Sequence, residues 1–100
     1  MKISIITVCY NSAATIEKTM KSLMAQTYRD IEYIVVDGDS NDSTLDIVKK
    51  YENQITKWIS EPDNGLYDAI NKGIAFATGD IIGVLNSDDI FTDNYVLENI

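Results

Sequence analysis

Four short apolar runs alternate with segments of helical periodicity, and this alternation is the feature that most restricts the fold. The runs cover residues 3–9, 31–36, 55–60 and 81–85, and each ends in polar or turn-forming residues. Between the runs, apolar residues recur at three- and four-residue spacing, which is typical of amphipathic helices. This β-α-β-α-β-α-β order predicts an α/β fold with a parallel sheet, helices on both faces and right-handed crossovers. If the first and fourth strands are neighbours, the strand order is about 3-2-1-4.

The second half of the chain allows more detailed predictions. Residues 81–85 show no alternation with polar residues, which predicts a strand buried on both faces. Gly79 just before it fits the C′ position of the third helix, where φ is positive. Helical spacing predicts the apolar face of that helix, made of Tyr67, Ile70, Ile74 and Ala77. Residues 93–100 have the pattern of the start of another helix.

The first two helices have candidate start signals. Ser12 is a plausible N-cap for the first helix, which is predicted to end near Gln26 and Thr27. Ser43, with Asp46 three residues later, resembles a capping box at the start of the second helix.

Composition excludes several classes of function. The 100-residue chain has a formal net charge of −8, whereas nucleic acids and anionic membrane surfaces recruit Lys and Arg. There is no histidine, which removes Ser/His and Cys/His catalysis and His-based zinc sites. Cys9 is the only cysteine, which fits a reducing compartment. No apolar run approaches the ~20 residues of a membrane span, and the N-terminus lacks a signal-peptide pattern.

The polar residues that follow three of the strands are the candidate site. In parallel α/β sheets, ligands bind outside the carboxyl ends of the strands, at the point where the strand order reverses. That point lies between the first and fourth strands here. It brings residues 10–11, 37–39 and 88–89 to one edge. Tyr10 at this edge can cover the rim of the core or stack on a nucleobase, since an aromatic ring presents a flat face.

The acidic residues of this edge leave two interpretations open. Asp88 and Asp89 are either a solvated turn or carboxylate ligands of a divalent cation, which offsets their mutual repulsion. Asp37 directly follows an apolar strand, and its carboxylate can accept a hydrogen bond from a base N–H or a ribose hydroxyl. For Asp39 a turn role and a binding role are equally open. Asp68, in the first turn of the third helix, is either solvated surface or part of the crevice.

Four segments, in this order and spacing, resemble glycosyltransferase family 2. They are residues 7–11 (TVCYN), 35–44 (VVDGDSNDST), 71–80 (NKG and ATGD) and 86–89 (NSDD). The resemblance covers the whole chain. It implies a GT-A type fold and transfer of a sugar, with inversion, from a nucleotide diphosphate sugar. Residues 61–68 resemble a subset of bacterial members that build surface polysaccharides.

The resemblance also implies roles for individual residues. Asp89 would bind the Mn²⁺ or Mg²⁺ that bridges the diphosphate, and the nucleotide-binding set would be Thr7, Tyr10, Asn11, Asp37, Asp39, Asp68 and Asp88. The family often has Asp-Asp-Gly-Ser where this chain has residues 37–40, Asp-Gly-Asp-Ser, so the second carboxylate is displaced by one position. The catalytic base is expected beyond residue 100. Residues 1–100 would thus be the donor-binding part of a longer enzyme, without its acceptor-binding half.

The implied partners are a nucleotide diphosphate sugar, with UDP as the family's commonest nucleotide, and a glycan or lipid-linked acceptor. The implied location is the cytoplasm, at the inner face of the membrane in the full-length protein, and an exposed apolar sheet edge would allow a homodimer. One alternative is a nucleotidyltransferase, which would usually have a Gly-rich basic loop where this chain has residues 9–14 (CYNSAA). The other is a non-catalytic binding or signalling module, which would need a Lys on the late strand that this chain lacks.

Overall fold

The computed structural model describes residues 1–99, with only the backbone of Asn99. The elements in chain order are β1 (Ile3–Cys9), α1 (Ile16–Met24), β2 (Ile31–Asp37), α2 (Thr44–Lys50), β3 (Lys57–Ser60), α3 (Leu66–Phe76) and β4 (Ile81–Val84). Short 3₁₀ helices cover Glu52–Gln54 and Leu97–Asn99. Within the described residues, no helix is both long enough and apolar enough to cross a bilayer.

The four strands form one parallel sheet in the order β3-β2-β1-β4. Every residue of β1 pairs with β2, from Ile3 opposite Ile31 to Cys9 opposite Asp37. All seven residues of β1 are buried, as befits a central strand that is covered on both faces. The predicted fold class and strand order are therefore confirmed.

Two apolar clusters cover the two faces of the sheet. On one face, α1 and α2 pack Ile16, Met20 and Val48 against alternate residues of β1 and β2. On the other face, α3 packs Ala69 against Ile6 and its neighbours. The helices thus lie on both faces, as the alternation of elements predicts.

The prediction that β4 is buried on both faces is wrong, since one face is exposed and the other is only partly buried at Ile81 and Gly83. Ile82 is 44% exposed and Val84 46% exposed. β4 lies at the edge of the sheet, and α3 covers β1 and β2 rather than β4. A continuous apolar sequence therefore shows only that water is unfavourable on both sides, not that both sides are covered within this chain.

The predicted apolar face of α3 is also partly wrong. Ile70 and Ala77 pack partly buried, but Tyr67 is 83% exposed and Ile74 44% exposed. The helix instead buries Ala69 and Gly73. Small residues let the helix approach the sheet closely, whereas large apolar residues would hold it away.

Gly79 does not adopt the predicted positive φ, which among the described glycines occurs only at Gly65, with φ 113°. α3 ends at Phe76, and Ala77 follows in an extended conformation. Gly79 instead packs directly on β1, since a Cβ there would lie 2.5 Å from Ser4 Oγ. A glycine stands here because β1 leaves no space for a side chain, not because the backbone angle is unusual.

The helix starts differ from their predicted signals. α1 begins at Ile16 with Thr15 as N-cap, although the Ser12 carbonyl already accepts the N–H of Ile16 at 2.9 Å. Ser43 makes no capping hydrogen bond. The side chain of Asp42 does so instead, accepting the backbone N–H of Thr44 at 3.0 Å.

The predicted ends and later helix also differ. α1 ends at Met24, slightly before the predicted Gln26 and Thr27. Residues 93–99 form turns and the 3₁₀ helix Leu97–Asn99 rather than an α-helix, and Ile100 lies outside the described residues.

We expect Gly73→Val to lower the free energy of unfolding by about 1–3 kcal/mol, because it overpacks a close contact. A Cβ at Gly73 would lie 2.5 Å from Ile6 Cγ2, and a larger side chain would push the helix off the sheet. Urea unfolding measures the loss. Asn71→Val is the matched control, because it places the same β-branched residue on the exposed side of α3. Equal losses in the two variants would contradict the close approach.

Candidate functional site

The loops after β1 and β2 are joined at the carboxyl edge of the sheet. The backbone N–H of Asn11 donates to Ser40 Oγ at 2.8 Å, and Asn11 Oδ1 accepts the N–H of Asn41 at 2.7 Å. Asn11 and Asp39 both have positive φ, 48° and 67°, which Asn and Asp tolerate better than most residues. The Asn11 side chain therefore shapes the loops, while Asp39 is exposed beside them.

The loop after β4 is fixed to the start of α1. The carbonyl of Ser87 accepts hydrogen bonds from Thr15 Oγ1 at 2.8 Å and Thr19 Oγ1 at 2.9 Å. Ser87 Oγ lies 2.8 Å from Ser12 Oγ. Thr19 is fully buried, so this hydroxyl is part of the framework rather than the surface. The three contacts hold residues 88 and 89 beside the end of β1, at the predicted edge.

Asp88 and Asp89 are exposed at this edge. A turn closed by the N–H of Asp89 and the carbonyl of Asn86, at 3.0 Å, presents them. Within residues 1–99, no hydrogen bond engages either carboxylate. In the same part of the chain, no cluster of three or more His, Cys, Asp or Glu side chains could enclose a metal ion. The pair still fits Mg²⁺ or Mn²⁺, because such ions are commonly held by one or two carboxylates together with water and substrate phosphates.

Asp37 has a different environment from the one its position suggests. The residue is fully buried, and its carboxylate accepts hydrogen bonds from Ser40 N–H at 2.9 Å, Ser40 Oγ at 2.5 Å and Ser60 Oγ at 2.9 Å. These contacts tie the end of β2 to the following loop and to β3. The geometry favours a positioning role, and the predicted contact of Asp37 with a nucleotide stays a prediction.

Cys9 lies next to the carboxylate of Asp37, and its thiol is not activated as a nucleophile. Its thiol is 3.4 Å from Asp37 Oδ1. Burial, and then the negative charge of Asp37, raise the pKa of Cys9 well above its usual range. A protonated, buried thiol is a weak nucleophile, so Cys9 serves as a hydrogen-bond donor within the core.

The remaining predicted residues are divided between core and surface. Thr7 is fully buried, and its hydroxyl accepts the hydrogen bond of Tyr33 at 2.8 Å, so the structure does not bring it to the edge. Asp68 accepts the backbone N–H of Asn64, just before its helix, at 2.9 Å, which lowers the pKa of Asp68. Asp68 also pairs with Lys72 at 3.4 Å. In the described structure, the side chains of Thr7 and Asp68 therefore bond to partners within the protein and are not free at the predicted nucleotide site.

Tyr10 stands between two cavities at the edge. It is 58% exposed. One cavity, of about 290 Å³, is mostly apolar and reaches Ala69, and the other, of about 400 Å³, includes Gly38 and Asp39. Asp63, from the loop between β3 and α3, lines both cavities. Sequence reasoning missed Asp63 as a site residue, although its position after the strand next to β2 was a usable signal.

The sequence matches a known family over nearly its full length. The family model described as "Glycosyl transferase family 2" matches residues 4–100. A protein of Mycobacterium tuberculosis named an uncharacterized glycosyltransferase is 44% identical over 91 residues, covering 90% of this chain and 35% of its own length. A PGL/p-HBAD biosynthesis glycosyltransferase of Mycobacterium bovis is 37% identical over 89 residues, covering 86% of this chain and 35% of its own length.

Solved structures agree with the sequence matches. TarS of S. aureus, residues 1–349 in complex with UDP-GlcNAc, superposes with a TM-score of 0.90 at 31% identity, covering 99% of this chain and 30% of that one. A mannosyltransferase of Pyrobaculum calidifontis with GDP-Man and Mn²⁺ has a TM-score of 0.86 at 25% identity, covering 93% and 29%. Glucosyl-3-phosphoglycerate synthase of Mycobacterium tuberculosis, with Mn²⁺ and UDP, has a TM-score of 0.73 at 25% identity, covering 86% and 33%.

These matches extend over most of this chain but over only part of each relative. The chain spans about a third of the length of the curated relatives and solved structures that it matches. The family match, the sequence identities and the parallel sheet order agree with one another. The chain belongs to glycosyl transferase family 2.

Proposed function

We propose that this chain forms the donor-binding part of an inverting glycosyltransferase that uses a UDP-sugar and transfers the sugar to an acceptor hydroxyl. The observation that carries the proposal is the shared sheet edge, where the Tyr10 cavities and the exposed Asp88 and Asp89 lie. An aromatic face suits a base, and free carboxylates suit a metal-bound diphosphate. The base would thus contact Tyr10, and the metal-bound diphosphate would lie at Asp88 and Asp89 along the same edge.

UDP is the proposed nucleotide because two of the three structures described above contain UDP or UDP-GlcNAc. The third contains GDP-Man, so the fold alone does not fix the base. The resemblance of residues 61–68 to bacterial members that build surface polysaccharides supports such a role here, with a glycan or lipid-linked acceptor. We place the full-length protein in the cytoplasm, at the inner face of the membrane, where a nucleotide sugar and a lipid-linked acceptor can meet.

Asp89 is the proposed metal ligand, with Asp88 facing the ribose or the donor sugar. When bound, Mn²⁺ or Mg²⁺ supplies Lewis-acid stabilisation of the charge that develops on the leaving diphosphate. The chain's own part is to hold the carboxylates at the site, through Thr15, Thr19 and Ser12. Such preorganised positioning removes the cost of ordering the loop when the donor binds.

A carboxylate general base is proposed to lie outside residues 1–100, and it would remove the proton of the acceptor hydroxyl. The partly exposed β4, with Ile82 and Val84 on its open face, supports the further proposal that this chain on its own forms homodimers.

We expect Thr19→Val to weaken UDP binding in the presence of Mn²⁺ by about two- to tenfold, the usual value of one hydrogen bond. The variant keeps the shape of the side chain but removes one of the two donors to the Ser87 carbonyl. Calorimetric titration with UDP measures the effect. Thr56→Val is the control, because Thr56 bonds the Tyr33 backbone far from this loop. Unchanged affinity for Thr19→Val would show that the loop does not depend on α1.

The proposed reaction is tested with the full-length protein and a panel of nucleotide sugars. The expected result is sugar transfer from a UDP-sugar, dependent on Mn²⁺ or Mg²⁺, with an anomeric configuration opposite to that of the donor by NMR. Retention of configuration would contradict the inverting mechanism. Turnover only with a donor based on another nucleotide would contradict the choice of UDP.

A further inference from the structure

Gly38 directly follows Asp37 at the end of β2, and the structure shows what occupies the space above it. A Cβ at Gly38 would lie 2.7 Å from Asp63 Oδ2 and 3.4 Å from its Cγ. The same Cβ would lie 3.5 Å from Tyr10 Cδ1. The carboxylate of Asp63 therefore sits directly over the glycine and beside the aromatic ring.

The backbone explains how Asp63 reaches this place. The N–H of Glu61 donates to the carbonyl of Asp37 at 3.0 Å, which keeps the chain after β3 against the end of β2. Asp63 Oδ1 then accepts the N–H of Gly65 at 3.1 Å. This bond fixes the orientation of the carboxylate. Within residues 1–99 no hydrogen bond uses Oδ2, the oxygen next to Gly38, so it is available to a ligand.

The cavity around this oxygen suits a neutral, flat group with N–H donors. Its lining residues in the described structure include two carboxylates and no Lys or Arg: Tyr10, Gly38, Asp39, Asn41, Pro62 and Asp63. A phosphate would be repelled here, whereas a base can stack on Tyr10 and donate to an acid. The diphosphate is better placed at the Asp88 and Asp89 end of the site.

We propose that Asp63 is the specificity-determining residue for the base, its Oδ2 accepting the ring N–H of a uracil stacked on Tyr10. This inference rests on the proposed nucleotide binding and names the residue that reads the base. Uracil carries a hydrogen on its ring nitrogen N3, whereas the same atom of cytosine carries a lone pair. A fixed carboxylate oxygen attracts the first and repels the second, so UDP would be preferred to CDP. The glycine at position 38 is what makes room for this arrangement.

The test compares UDP with CDP, which differ in the base alone, by calorimetric titration in the presence of Mn²⁺. The wild-type chain is expected to prefer UDP. In Asp63→Asn the ratio of UDP to CDP affinity is expected to fall by about tenfold or more, since a bond to a charged acceptor is lost and an amide can donate to cytosine. Glu52→Gln removes one negative charge at the far end of the sheet and is expected to keep the wild-type ratio.

A second variant covers the event that Asp63→Asn fails to fold, as judged by circular dichroism. Gly38→Ala keeps the aspartate but displaces its carboxylate, because the new Cβ meets Oδ2 at 2.7 Å. It is expected to reduce the same ratio. If a folded variant still binds UDP with Mn²⁺ and its ratio of UDP to CDP affinity is unchanged, the role of Asp63 is overturned. The proposed nucleotide binding would then still stand. A wild-type chain that binds neither nucleotide would overturn the proposed function together with this inference.

Discussion

Asp89→Asn is expected to weaken UDP binding in the presence of Mn²⁺ by about 100-fold, because changes that only touch a metal ligand's surroundings already cost 10–100-fold. Asp89 offers a carboxylate that no hydrogen bond of the described residues engages. Asparagine keeps its shape but lacks the charge that holds a divalent cation. The side chain is exposed, so the thermal stability of the apo-protein should stay the same. Calorimetric titration with UDP, with Mn²⁺ and with EDTA, measures the effect.

Two comparison variants make the result specific. Asp46→Asn removes one exposed negative charge from α2 and should leave UDP binding as it is. Asp88→Asn should weaken binding while affinity still rises on addition of Mn²⁺, because Asp88 is proposed to face the sugar rather than the metal. If Asp89→Asn bound UDP as tightly as the wild type in Mn²⁺, the assignment of Asp89 as metal ligand would be wrong.

The second large effect concerns catalysis. We expect residues 1–100 alone to transfer no measurable sugar, although they bind the donor. General-base assistance is typically worth about 10²–10⁴-fold, and positioning of the acceptor contributes further. Asp37 and Asp68 are engaged in structural contacts, and Asp93 accepts the N–H of Tyr95 at 2.8 Å. Asp42 accepts the N–H of Thr44 at 3.0 Å, and Glu61 pairs with Lys72 at 3.2 Å. The acidic residues that then remain at the edge are Asp39, Asp63, Asp88 and Asp89, all of which are proposed to serve the donor.

Donor turnover by residues 1–100 and by the full-length protein, at equal concentrations and with the same acceptor, tests this expectation. Titration of UDP into both proteins is the control, because it shows that the shorter chain still has a formed donor site. Comparable transfer rates would show that the base is already present within residues 1–100 and that a carboxylate has been given the wrong role.

The sheet was predictable from its central strands together with the helical segments between them. The runs that form β1 and β2 are almost wholly apolar, which is typical of strands in a parallel sheet covered on both faces, and the alternation with helices favours parallel crossovers. The face of α3 was not predictable in the same way. Hydrophobic periodicity gives weight to large residues such as Tyr67 and Ile74, whereas the packing depends on how closely Gly73 approaches Ile6.

The candidate site was likewise predictable only in part. The carboxyl ends of the strands fixed where Tyr10, Asp88 and Asp89 lie, because topology alone decides that. Topology cannot show whether a carboxylate at a strand end is free, and Asp37 is satisfied by Ser40 and Ser60. Nor can it show that the space above Gly38 holds Asp63, because that contact joins two loops separated by a helix and a strand.

The most direct test of the central claim, that the carboxyl edge of the sheet binds a nucleotide diphosphate through a divalent cation, is one calorimetric titration. UDP is added to residues 1–100, first with Mn²⁺ and then with EDTA in its place. The predicted result is one UDP per chain with Mn²⁺ and binding at least about tenfold weaker with EDTA, because the carboxylates Asp88 and Asp89 then repel the diphosphate. Equal affinity in the two titrations, or no binding in Mn²⁺, would contradict it.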